Sequence, residues 1–192
     1  RRLQSATMGE NQTYGYQYNA DGLRTKKTNA DGSYIVYHIA GGRYLGEIYY
    51  TATGAVDLYI RYNYDENGSV VGISLWNEGK GQYWTDYYFE KNLQGDILNV
   101  YQDSDSLPTL VASYTYDAWG NILTTTGRMA TALGQANPLR YRGYVYDNET
   151  GLYYLQSRYY DPEIGRFINA DDIICTDTSI IMRNLFSYCE NN

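Results

Sequence analysis

Polar and apolar positions alternate along most of this chain in short stretches of period two. Tyr16-Gln17-Tyr18 leads into Asn19-Ala20-Asp21-Gly22, Tyr62-Asn63-Tyr64 into Asp65-Glu66-Asn67-Gly68, and Tyr114-Thr115-Tyr116 into Asp117-Ala118-Trp119-Gly120. A copy one residue longer runs Tyr144-Val145-Tyr146-Asp147-Asn148-Glu149-Thr150-Gly151. Tyrosines at i and i+2 share one face of an extended strand, Asp or Asn caps a turn with its own side chain, and Gly supplies the positive φ of a tight hairpin. Each copy of Tyr-x-Tyr-(Asp/Asn)-x-x-Gly therefore predicts strand, turn, strand. A weaker copy lies at Tyr87-Tyr88-Phe89 with Gln94-Gly95-Asp96, and Tyr159-Tyr160-Asp161-Pro162-Glu163-Ile164-Gly165 closes the series. Asn29-Ala30-Asp31-Gly32 with Tyr34-Ile35-Val36-Tyr37 adds a turn and strand, and Ile48-Tyr49-Tyr50 and Leu58-Tyr59-Ile60-Arg61-Tyr62 read as strands too. In the last part of the chain, three strands are expected over 144–147, 152–160 and 166–170, with turns at 148–151 and 161–165. Helix is confined to two short stretches, 128–135, stopped before Pro138, and 179–188.

Hairpins repeated at roughly this length pair each unit with its neighbours in a continuous ribbon. The expected fold class is all-β: antiparallel repeats forming a curved ribbon or part of a hollow shell, with short helical segments near the carboxyl end. A compact β-sandwich is the alternative. Composition sharpens the picture: 25 of 192 residues are Tyr, against 3 Pro. A tyrosine ring covers cross-strand area while its hydroxyl stays wet or bonded, so a sheet with one semi-polar face suits a wall around a hydrated space.

Charge and cysteine content narrow the function. The net charge is -7, and the 15 Lys and Arg form no cluster, so the basic footprint of a nucleic-acid binder is missing. No apolar run reaches the roughly 20 residues of a membrane span, and the first residues lack the apolar stretch of a signal peptide. The absence of an initial Met suggests an internal piece whose targeting information lies elsewhere. Cys175, Cys189 and His38 have no zinc-ligand spacing, and Asp103, Asp105 and Glu66 no calcium-loop spacing, so neither a metal nor a cofactor is expected. The two cysteines are expected as packed thiols, a disulfide between them remaining open.

The Tyr-x-Tyr-Asp-x-x-Gly copies resemble the tyrosine-aspartate (YD) repeats of the rearrangement-hotspot (Rhs) polymorphic toxins. Leu139-Arg140-Tyr141-Arg142-Gly143, Tyr146-Asp147-Asn148-Glu149-Thr150-Gly151-Leu152-Tyr153-Tyr154 and Arg158-Tyr159-Tyr160-Asp161-Pro162-Glu163-Ile164-Gly165-Arg166-Phe167 resemble their repeat-associated core. The likeness divides the chain into a leader (1–13), a YD-repeat ribbon (14–126), a connector (127–138) and the core (139–192), ending before the family's usual cleavage segment. It implies a secreted or cell-surface container that encloses its own carboxyl-terminal toxic polypeptide, with the core capping the shell.

The resemblance also implies intramolecular aspartyl proteolysis by Asp147 and Asp171, with Arg140 or Arg142 as an assisting cation. Such chemistry needs two carboxylates close enough for one to hold a proton while the other activates water. The alternative is that Asp147 caps a turn and Asp171 begins a turn or helix. The family often has Asp-Pro where this chain reads Asp171-Asp172. A rival function is a cell-surface adhesion or carbohydrate-binding module without toxin release, its sugars stacking on Trp76, Trp84 and Trp119. Those rings equally suit cross-strand ladders, as His38 suits its strand and Asp161-Pro162 a turn. Exposed strand edges predict self-association.

Overall fold

The computed structural model describes residues 2–9, 11–77 and 83–169. Two antiparallel sheets account for nearly all its regular structure. The first is an eleven-stranded meander in strict chain order: β1 (Ser5–Met8), β2 (Gln12–Tyr18), β3 (Arg24–Thr28), β4 (Tyr34–Ala40), β5 (Arg43–Tyr50), β6 (Val56–Tyr64), β7 (Val70–Asn77), β8 (Thr85–Lys91), β9 (Ile97–Gln102), β10 (Thr109–Tyr116) and β11 (Ile122–Thr126). The second has four strands, β12 (Val145–Asp147), β13 (Leu152–Leu155), β14 (Arg158–Asp161) and β15 (Arg166–Phe167). Residues before Tyr14 are thus not all outside the ribbon, since β1 pairs with β2.

One turn design recurs six times. Residue i donates its N–H to the carbonyl of i+4 and accepts from the N–H of a glycine at i+3, at Asn19, Asn29, Thr51, Asp65, Asn92 and Asp117. The glycines sit at φ between 81° and 93°, and the ladder slips by one residue beside five of these turns. This is the three-residue hairpin in which a type I turn ends in a glycine bulge. The side chain at i seals it: Asn19 Oδ1 accepts from Leu23 N at 2.8 Å, Asp65 Oδ1 from Ser69 N at 2.7 Å, and Asp117 Oδ1 from Asn121 N at 2.9 Å.

Tyrosine hydroxyls bind strands together, adjacent ones and, from β5 to β3, strands one apart. Tyr116 donates to Ile97 O at 2.8 Å, Tyr44 to Arg24 O at 3.1 Å, and Tyr64 to Tyr44 O. The buried face of the large sheet carries Tyr14, Tyr16, Ile35, Tyr37, Ile60, Tyr62, Ile73, Val100 and Val111, and it continues into Leu139, Leu152, Tyr154 and Tyr159 of the following segment. The small sheet therefore shares the large sheet's core and is not a separate sandwich.

Two details differ from the sequence expectation. The expected strand 152–160 is two strands, because Gln156 and Ser157 form a two-residue hairpin loop with Gln156 at φ 61°. The expected helix 128–135 is a run of turns ending in a single turn of helix, α1 (Leu133–Ala136). Met129 N is drawn back to Val111 O at 2.9 Å, which pins the connector to β10 before a longer helix can form. The stretch 179–188, Cys175, Cys189 and Asp171 lie outside the described residues.

Candidate functional site

The small sheet is fastened to the large one at three places, and two of them are built from backbone. At the β10–β11 turn, three consecutive carbonyls each accept a tyrosine hydroxyl: Ala118 from Tyr141 at 2.9 Å, Trp119 from Tyr160 at 2.8 Å, and Gly120 from Tyr153 at 2.8 Å. Asn121 adds a bond to Pro162 O. At the β8–β9 turn, Asp96 Oδ1 accepts from Arg142 N at 2.9 Å.

The third fastening is ionic and faces β3. Asp147 ends β12 with only 1% of its surface exposed. Arg24 grips it bidentately, Nη1 to Oδ2 at 2.5 Å and Nη2 to Oδ1 at 3.0 Å. Lys27 Nζ reaches Oδ1 at 3.2 Å and Glu149 Oε2 at 2.9 Å. The Arg24 guanidinium is boxed by the rings of Tyr154, Tyr37, Tyr16 and Tyr159, with centroids 4.4 to 5.9 Å away. Arg24 N also donates to Tyr154 Oη at 2.8 Å.

Burial alone would push the Asp147 carboxyl up, but the adjacent charges of Arg24 and Lys27 win and hold it below the ordinary carboxylate value. Burial likewise works against the Lys27 ammonium, and Asp147 and Glu149 more than offset it. Asp147 is therefore a fixed, ionised carboxylate. In the same hydroxyl network burial pushes Tyr18 up to about 12, while its OH lies 3.0 Å from that of Tyr159.

Asp147 lines a cleft of about 310 Å³ between β3 to β5, the connector and the β12–β13 turn. Lys27, Glu47, Tyr49, Gln135 and Glu149 also line it. Glu47 stands on β5 in the inward row between Tyr37 and Ile60. It accepts from Tyr62 OH and, at 2.7 Å, from Tyr49 OH. Burial pushes its carboxyl up, and the two tyrosine hydroxyls offset only part of that.

Arg140 does not face Asp147 as a hydrogen-bond partner. Its guanidinium is buried over the Tyr114 ring and donates to the carbonyls of Gly134, Gln135, Asn137 and Leu139, so it knots the connector. The described chain ends at Asn169, whose side chain accepts from Tyr159 N at 2.8 Å and donates to Ser157 O at 3.2 Å. Since β13 and β14 both separate β12 from β15, those two strands stand three spacings apart, roughly 14 Å in a flat sheet, and the register sets Asp147 level with Arg166, where the chain enters β15 rather than where it leaves.

Sequence reasoning missed Arg24, Lys27, Glu47 and Glu149. A signal existed for the first three, charges inside short strands. Lys27 pairs with Tyr16 and Ile35, so it sits in phase with inward residues. Among the described residues no cluster of three or more His, Cys, Asp or Glu is arranged to hold a metal, and no helix is long and apolar enough to cross a membrane. Trp76 packs edge-on against Tyr59, and Trp84 lies under Arg61 and is 46% exposed.

A hairpin ribbon capped by a tyrosine-anchored second sheet defines a class of shell-forming repeat proteins. The Teneurin YD-shell family model matches residues 57–192, and the chain belongs to that family. It is 33% identical over 185 residues to the tRNA3(Ser)-specific nuclease WapA of Bacillus spizizenii, covering 96% of this chain and 7% of that protein. It is 48% identical over 58 residues to double-stranded DNA deaminase toxin A of Burkholderia cenocepacia, covering 30% of this chain and 4% of that protein. The crystal structure of TcdB2-TccC3-TEV shares its fold, with a TM-score of 0.75 and 22% identity over 98% of this chain and 9% of the other. The chain thus spans about 7% of the length of the WapA relative.

Proposed function

We propose that this chain forms wall and cap of a secreted or cell-surface toxin shell that encloses a carboxyl-terminal polypeptide and releases it by intramolecular proteolysis. The observation that carries the container reading is the three-point fastening of the small sheet over the buried face of the ribbon. Such an arrangement covers one face of a wall without closing the edges at β1 and β11, through which further repeats can pair. The membership of the YD-shell family and the toxin-type relatives support the same reading.

For release, Asp147 is the ionised carboxylate of the site and Asp171, by motif position, its partner. Arg140 acts as a positioning residue that fixes the connector lining the cleft. The test is the intact mass of the protein expressed over its whole natural reading frame, beside Asp171→Asn. Splitting of the parent alone supports release by these carboxylates. If both stay whole while folded, self-cleavage is refuted, and protection of the downstream polypeptide from added protease then tests the container by itself.

A second reading, an adhesion surface for glycans, draws on the exposed rings of Trp84 and Trp119. Glycan-array binding that disappears in Trp84→Ala or Trp119→Ala would favour it.

A further inference from the structure

The seam between the two sheets holds another cleft, of about 450 Å³, at the opposite end of β12 from Asp147. Arg43, Tyr44, Tyr62 and Tyr64 of β5 and β6 form one wall, and Tyr144 and Tyr154 face them from the small sheet. Four of these five tyrosine hydroxyls are already engaged within the protein. Tyr44 donates to Arg24 O at 3.1 Å, Tyr62 to Glu47 and Tyr64 to Tyr44 O, while Tyr154 OH accepts from Arg24 N at 2.8 Å. The cleft is thus faced by rings, with Val70, Leu139 and Val145 between them. Leu139 and Tyr62 are buried and Arg43 and Gln156 are exposed, so the polar groups stand at its mouth.

Arg43 alone among the described lining residues is charged, in a chain of net charge -7. Its guanidinium lies over the Tyr64 ring, 4.8 Å from the centroid, and against Gly68, where a Cβ would fall 2.5 Å from Nη2. Among the described residues that guanidinium makes no hydrogen bond and no ion pair, whereas Arg24 grips Asp147 and Arg140 the connector carbonyls. A guanidinium held on a ring face keeps its in-plane N–H groups free for a planar anion. Gln156, at φ 61°, brings an amide to the same mouth.

We infer that this cleft binds a small aromatic carboxylate, with its ring between the tyrosines and its carboxylate on Arg43. A largely apolar cavity of several hundred Å³ with a few convergent polar groups has the form of a small-molecule site. Aromatic rings meet a flat ligand well edge-on or offset, and Tyr44 and Tyr154 already meet edge-on at 6.2 Å. The guanidinium fork matches the two oxygens of a carboxylate, and no second cation lines the cleft to balance a phosphate dianion. This ligand site is additional to the container role and requires neither self-cleavage nor an enclosed polypeptide.

The probes are naphthoate and its neutral isostere naphthamide, titrated into the 192-residue chain carrying isotope-labelled tyrosine and followed by NMR. Naphthoate is expected to bind with a Kd of about 1 mM or tighter and to move the ring signals of Tyr64 and Tyr144, assigned through Tyr64→Phe and Tyr144→Phe. Naphthamide should bind about 10-fold more weakly. Arg43 is exposed and outside the three fastenings, so Arg43→Gln should melt like the parent while binding naphthoate no better than the amide. Arg43→Lys should recover part of the preference. Val70→Trp fills the cleft with Arg43 retained and should abolish binding of both probes. Equal affinity of the parent for the two probes, or naphthoate binding unaltered in Arg43→Gln or in folded Val70→Trp, overturns the inference. So do signals that move only at tyrosines outside the cleft, and a parent that binds neither probe.

Discussion

Replacing Asp147 with asparagine keeps the side-chain volume and removes the charge on which the third fastening depends. In the structure Arg24, Asp147 and Lys27 have side chains 0%, 2% and 5% exposed, so the cluster is shielded from bulk solvent. Lys27 retains Glu149, itself 30% exposed, but among the described residues Arg24 keeps no other carboxylate hydrogen-bond partner. An amide offers one acceptor oxygen and turns an N–H₂ group toward two cations. Breaking a buried ion pair on one side costs about 3–5 kcal/mol. For a chain of this size that corresponds to a melting point lower by roughly 6–20 °C, at about 2–4 °C per kcal/mol.

Urea titration at pH 7 measures the cost directly, provided the slope against denaturant is unchanged. Replacing both partners, Arg24→Met with Asp147→Leu, should recover most of the loss, because apolar groups of similar volume commonly do as well as a buried pair. The pH dependence gives an independent check. The Asp147 carboxyl is held low in the fold and titrates near 3.9 when unfolded. Its contribution is therefore present above that value and lost as pH falls through the lower folded one, and Asp147→Asn should flatten this acid limb. A cost under about 1 kcal/mol, the range of exposed pairs, would refute the claim that this cluster fastens the two sheets.

Glu47→Gln should show the opposite linkage: Glu47 is held high, so its ionisation weakens the fold as pH rises above the unfolded value near 4.3, and stability of the variant relative to parent should grow over that range in thermal melts. Tyr153→Phe and Tyr160→Phe each delete a bond to the β10–β11 turn and should cost about 0.5–1.5 kcal/mol by urea titration, with Tyr34→Phe, on the half-buried outer row, near neutral. Gly32→Ala meets only Ala52 at 3.5 Å and should cost about 1–2 kcal/mol for its positive φ. Gly120→Ala adds a clash at 2.6 Å with the Tyr141 ring and should cost clearly more; equal costs would show that the ring moves freely.

Local structure was readable in the sequence because its causes are local. Asn19, Asp65 and Asp117 cap turns with their own side chains, and Gly22, Gly68 and Gly120 supply the positive φ three residues later. Turn and alternation together set the order of the strands, since a three-residue hairpin leaves each strand no neighbour but the next. The Gln156-Ser157 hairpin escaped because it lacks glycine: Gln156 takes φ 61° where the pairing of Tyr153 with Tyr160 and Tyr154 with Tyr159 holds the loop shut.

The site depended on contacts the chain cannot express locally. Asp147 was singled out by motif, yet its partners Arg24 and Lys27 lie more than a hundred residues earlier, and only the docking of the small sheet on β3 brings them together. The same docking buries Arg140 among connector carbonyls and leaves Glu47 facing the cleft. Periodicity and turn chemistry determined by themselves that the chain is a tyrosine ribbon. The tertiary structure decided which charges are buried and paired, because burial and distance across separate strands set a carboxyl's protonation and neither is a property of neighbouring residues in sequence.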